Sequence, residues 1–117
     1  MPAIFLLTAV ASGWMVRSSQ AKTSAMIMNE AIGDTDARLN VVYKKLMSSI
    51  PSAAQKEKLK IAQRAWLVWL DAEESLVGDL QGNKAALATR LDLLVARVKQ
   101  LEDLQSNSSN FYDSRSR

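Results

Sequence analysis

Apolar residues recur along this chain every three to four positions, the period of a helix buried on one side, and no stretch alternates in the manner of a strand. After Gly33, the residues Leu39, Val42, Tyr43, Leu46 and Ile50 mark a first helix from about Thr35 to Ser49, with Asp34 or Thr35 as its N-cap. Ser24 to Ile32 can add a short helical turn or two before it. The helix breaks at Ile50-Pro51, because a residue preceding proline is pushed out of the α region. Ser52-x-x-Gln55 reads as a capping box that opens a second helix, running to about Val77 or Leu80 and closed by Gly78 and the Gln81-Gly82-Asn83 turn. Asn83 is placed to cap a third helix, Lys84 to about Gln105, whose Leu87, Leu91, Leu94, Val98 and Leu101 follow a 4-3-4-3 seam. Beyond Gln105 a Ser/Asn run carries one Phe111-Tyr112 pair, too little apolar surface to fold, so 106–117 is expected to be a disordered tail.

Short connections make successive helices antiparallel neighbours. The expected fold class is therefore all-α, a small antiparallel helical bundle of about three main helices, with the second helix in the middle. That placement rests on its two apolar sides. Leu59, Ala62, Trp66, Trp69, Leu70, Glu73, Val77 and Leu80 fall on one, and Ile61, Ala65, Val68 and Ala72 on another. A helix apolar on two sides is expected to be covered on both.

The N-terminus bears on the cellular address. Ala3 to Val16 is a run of 14 residues without charge, followed by Arg17 and the small-residue stretch Ser18-Ser19-Gln20-Ala21. Ser19 and Ala21 meet the small-x-small demand of a signal peptidase, so 1–21 reads as a secretory signal peptide cleaved before Lys22. A membrane span needs about 20 apolar residues, and this run is shorter and interrupted by Thr8, Ser12 and Gly13. No stable span is expected after cleavage, and with no cysteine behind the run no lipidated anchor is expected either. Residues 22–105 then form one helical domain.

Composition narrows the chemistry. The chain has no cysteine and no histidine, which removes disulfides, thiolate catalysis, the usual general base and the commonest metal ligands. No spacing of the remaining carboxylates, lysines and hydroxyls forms a nucleophile-base set, so neither enzyme activity nor a cofactor or metal is expected. The formal charge is +3, with the two signs interspersed. Lys44-Lys45 and Lys56-x-Lys58-x-Lys60 are short clusters rather than a basic face, so no nucleic-acid partner is expected.

The densest chemistry is Gln63-Arg64-Ala65-Trp66-Leu67-Val68-Trp69-Leu70-Asp71-Ala72-Glu73, two tryptophans, an arginine and two acids in three helical turns. Trp66 and Trp69 read first as core and second as an aromatic platform, with at most one reachable by solvent. Glu73 shares their stripe and reads as a partly buried carboxylate satisfied by a neighbour, or as one held for a ligand. Arg64 and Asp71 are expected to meet residues of a neighbouring helix, Asn40 being the natural candidate, and so to fix register.

Together with Asp36-x-x-Leu39-Asn40-x-x-Tyr43, this block resembles the LprI-type lysozyme inhibitors, small exported bacterial helical proteins. The resemblance spans about Asp36 to Arg97, with Asn40, Tyr43, Gln63, Arg64, Trp66 and Trp69 as its structural signature and Thr89-Arg90-Leu91 and Ala96-Arg97 as a looser match. The chain departs from it at Glu74, where many members carry a cysteine, and at Leu70, often arginine; stabilisation by packing alone is expected. The resemblance implies a periplasmic or secreted protein that binds a lysozyme or related cell-wall hydrolase and blocks its cleft. For a basic lysozyme, the acids Asp71, Glu73, Glu74 and Asp79 are the expected partner-binding edge, together with the Gly78 to Asn83 turn. The alternative is a helical envelope interaction module that binds another envelope protein or self-associates through the seam of the third helix. The expected state is monomer or homodimer.

Overall fold

The computed structural model describes residues 23–115, with side chains as far as residue 107. The expected signal peptide lies outside the described residues. Within them the chain forms three helices and no strand: α1 (Ser24–Ser49), α2 (Ala53–Gln81) and α3 (Asn83–Arg115).

α1 starts eleven residues before the expected Thr35. Its N-cap is Thr23, whose hydroxyl accepts from the Met26 amide at 3.2 Å, and neither Asp34 nor Thr35 caps anything. The Thr35 hydroxyl instead donates back to the Ala31 carbonyl at 2.7 Å, a bond that serves a helix interior. Gly33 costs the helix about 1 kcal/mol relative to alanine, but a continuous α1 also sets Ile32 against the core, and that packing wins. The stop at Ile50-Pro51 and the Ser52 cap are as expected, with the Ser52 hydroxyl accepting from the Gln55 amide at 3.3 Å.

Gly82 alone separates α2 from α3. Its φ of 97° suits glycine, its amide closes α2 onto the Gly78 carbonyl, and its own carbonyl takes the Ala86 amide at 3.1 Å to begin α3. Asn83 is thus already helical rather than a cap. Gly78 is interior to α2, where it faces Ala86 across the hairpin. The backbone of α3 is helical to Arg115, past the expected end near Gln105.

The central helix is α3, not α2. It packs against both of the others, which share at most a marginal contact with each other. Leu94, Val98 and Leu101 of its seam are buried with Leu39, Val42 and Leu46 of α1 and Leu59 and Leu70 of α2. The seam is therefore internal core from Leu94 to Leu101, with Leu94 and Leu101 fully enclosed, whereas Leu87 and Leu91 are only half-buried and lie outside that core. In consequence α2 is covered on one side only. Ile61, Val68, Trp69, Leu76 and Leu80 remain exposed, Val68 to 71% and Leu80 to 72%.

Candidate functional site

The α2–α3 hairpin carries most of the polar chemistry. Contacts pair residues ever farther from Gly82 on both strands of the hairpin: Gly78 with Ala86, Glu74 with Arg90, and Gln63 with Arg97. This is the signature of an antiparallel pair. Arg90 and Arg97 are seven residues apart, two helical turns, so both guanidinium groups face α2.

Nearest the open end of the hairpin, Arg97 donates from Nε to the Gln63 Oε1 at 3.0 Å and from a terminal nitrogen to Gln100 at 3.2 Å, while its guanidinium lies 5.6 Å from the centre of the Trp66 ring. Burial pushes the Arg97 pKa down from its ordinary value, though a guanidinium stays charged at any physiological pH. Gln63 is the one buried polar residue among the described side chains, and its amide oxygen is satisfied by this arginine. The Gln63, Trp66 and Arg97 trio fixes the register of α2 on α3.

Two turns closer to Gly82, Arg90 bridges Glu74 at 2.6 Å and Asp71 at 3.0 Å. Desolvation lowers the Arg90 pKa, but the hydrogen bonds and charges of the two acids outweigh it, and the net shift is upward. Beside this bridge an open hollow of about 460 Å³ is lined by Asp71, Glu74, Ser75, Gly78, Asp79, Asn83 and Ala86. Three carboxylates against one guanidinium leave its surroundings with a net formal charge of −2. The described residues hold no cluster of acids that could grip a metal ion.

The structure brings Asp71, Glu74 and Asp79 together on this hollow, whereas Glu73 does not line it. Glu73 is half-buried near the Trp66 side of α2. Of the two tryptophans, Trp66 packs on the core and Trp69 is 45% exposed. Tyr43 also packs on the core. Asn40 and Arg64 are exposed, and Arg64 forms no ion pair among the described residues. The expected bridge from α2 to Asn40 is absent because α1 and α2 lie against different parts of α3; Asp71 turns to Arg90 instead. Arg90 and Arg97 were visible in the sequence as part of the looser family match and as a heptad-spaced pair of arginines beside the α3 seam, a signal that names no partner.

A family model described as lysozyme inhibitor LprI matches residues 16–101, well over half of the 117 residues. The chain belongs to the LprI lysozyme inhibitor family. No curated protein and no solved structure gives a match. Within the family frame, Gln63 and Trp66 act as the hairpin lock and Tyr43 as core packing. In this member the lock and the Arg90 bridge hold the helices together without any cysteine. No helix among the described residues is long and apolar enough to cross a membrane.

Proposed function

We propose that this protein is an exported inhibitor that binds a lysozyme or related cell-wall hydrolase and blocks its cleft with the Gly82 end of the α2–α3 hairpin. Membership of the LprI family carries the reading. The placement is supported by the open hollow in which Asp71, Glu74 and Asp79 converge. Glu73 lies on the same stretch of α2 but does not line the hollow. Without residues 1–21, and so without Arg17, the formal charge is +2; the chain gains no long-range attraction to a basic enzyme, so complementarity is local and acts at contact range. The Arg90 bridge holds Glu74 and Asp71 in place before binding, which lowers the ordering cost.

The test is lysozyme-catalysed lysis of a cell-wall suspension with and without a molar excess of the protein. Dose-dependent protection saturating near equal stoichiometry supports the inhibitor reading; unaltered lysis overturns it. Asp79 is the position for charge reversal, because it is exposed and unpaired among the described residues. Asp79→Lys should weaken inhibition about tenfold, as expected when a like charge is set against a basic partner, and unchanged inhibition would move the binding edge elsewhere. The alternative, an envelope interaction module without inhibition, draws its support from the exposed apolar side of α2.

A further inference from the structure

We infer that the outer face of α2 is a self-recognition surface on which two copies of the chain pair antiparallel about a two-fold axis near Leu67. This goes beyond the inhibitor reading and does not depend on it. Three observations lead there.

First, the face is an uncovered stripe. Ile61, Ala65, Val68 and Ala72 recur at spacings of four, three and four, the rhythm of a two-helix seam. Ile61 is 59% exposed and Val68 71%, with Trp69 and Leu76 along one margin. The core uses the opposite side of the helix, through Leu59, Gln63 and Leu70.

Second, the charges of α2 are segregated along its length. The half before Val68 holds Lys56, Lys58, Lys60 and Arg64 against Glu57; the half after it holds Asp71, Glu73, Glu74 and Asp79 with no basic residue. The formal charges are +3 and −4. A helix so divided finds its best electrostatic complement in itself reversed.

Third, the reversed pairing places particular partners. With the axis near Leu67, each Ile61 meets Ala72 of the other copy and each Ala65 lies beside the other Val68, large against small. On one flank each Arg64 comes opposite the other copy's Asp71, and each Lys58 comes within a turn of the other Asp79. Arg64, Lys58 and Asp79 form no ion pair among the described residues within one chain. Parallel pairing would instead lay the basic half of α2 along the other basic half and the acidic half along the other acidic half, a like-charge arrangement that costs rather than stabilises. An isologous two-fold contact closes on itself, so association stops at the dimer.

A contact of this length lies at the small end of specific interfaces, about 1,000 Å² in total, which points to a dissociation constant near the micromolar range rather than a permanent dimer. Because the pairing engages Asp71 and Asp79, dimer formation competes with any use of the acidic hollow.

The absence of cysteine makes single-cysteine variants a clean probe. The full chain is examined by light scattering up to about 100 µM, well above a micromolar affinity, and by oxidative cross-linking. Val68→Cys, next to the axis, should cross-link to itself, whereas Ile61→Cys should not, since its two copies lie about 20 Å apart along the helices. A mixture of Ile61→Cys and Ala72→Cys should cross-link. Val68→Glu should return the chain to monomer, with helicity unchanged and a melting midpoint equal to that of the parent chain when both are diluted below the dimer affinity, since residue 68 faces away from the core. Self-cross-linking of Ile61→Cys would show parallel pairing and overturn the inference. So would a dimer that survives Val68→Glu, which would place association on another segment such as residues 3–16. A chain that stays monomeric throughout overturns it too. Val68→Glu leaves the acidic hollow intact, so loss of the dimer and loss of lysozyme inhibition are read separately.

Discussion

Arg97 does two things that no other cation could do together. Its planar fork lies over Trp66 while Nε reaches Gln63, and lysine offers a point charge without that geometry. Arg97→Ala leaves the buried Gln63 amide oxygen without its donor and removes the ring contact. The expected loss is about 2 kcal/mol, summing an unsatisfied buried acceptor and a partly exposed cation–π contact. For a domain of this size that lowers the melting midpoint by about 10 °C. Arg97→Lys should recover less than half of the loss. A double-mutant cycle of Gln63→Ala with Arg97→Ala should give a coupling of about 1 kcal/mol, and strict additivity would mean that the two residues stabilise the hairpin independently. The block from Gln63 to Glu73 was legible as unusual for its composition alone. The polar roles of Gln63 and Asp71 and the cation contact of Trp66 were not, because each depends on Arg90 or Arg97, 19 or more residues away, which contributes nothing to the local pattern.

At the level of the helices, three glycines illustrate three different constraints. Gly33 lies in the interior of α1, and a Cβ built there meets no heavy atom within 4 Å. Gly33→Ala should stabilise the protein by about 0.5–1 kcal/mol by narrowing the unfolded ensemble and favouring the helix. At Gly78 an added Cβ sits 3.5 Å from the Ala86 Cβ, an ordinary contact, so Gly78→Ala should be neutral or mildly stabilising. Gly82→Ala should cost about 1–2 kcal/mol, because φ of 97° suits only glycine. Thermal unfolding of the three variants should rank them in that order. Capping at Ser52 and the stop at Pro51 were legible because both are decided by a few adjacent residues. The true start of α1 was not, since Gly33 and Asp34 look locally like a boundary and only the packing of Ile32 on the core overrides them.

Taken as a whole, the molecule has no side chain whose ordinary pKa lies near neutrality, as it lacks both histidine and cysteine. Arg90 is shifted upward, so its contribution to stability is complete below the ordinary arginine range and is lost only as pH climbs through the folded value. Arg97 is shifted downward by burial, so the cost of its charged form is present throughout the range below its folded value and is relieved only at strongly basic pH. Neither changes charge under usual conditions. The melting midpoint should therefore stay level from about pH 6 to about pH 9. A pronounced slope in that window would reveal a coupled group that the fold as described does not contain.

Local chemistry was enough to settle the fold class, the three helices, two of their boundaries and the Leu94 to Leu101 part of the α3 seam, because period, caps and proline act within a turn or two of chain. It also carried the family, whose signature lies in one continuous block and a short upstream motif. Which helix occupies the centre was decided only in three dimensions. α2 is apolar on two sides and α3 carries Leu93, Val95 and Leu104 beside its seam, and periodicity reports how many sides of a helix are apolar without saying what covers them. Packing covers α3 with α1 on one side and α2 on the other, and leaves the second side of α2 bare. The meeting of Asp71 and Glu74 with Arg90, the lock of Gln63 and Trp66 on Arg97, and the uncovered stripe from Ile61 to Leu76 all follow from that placement.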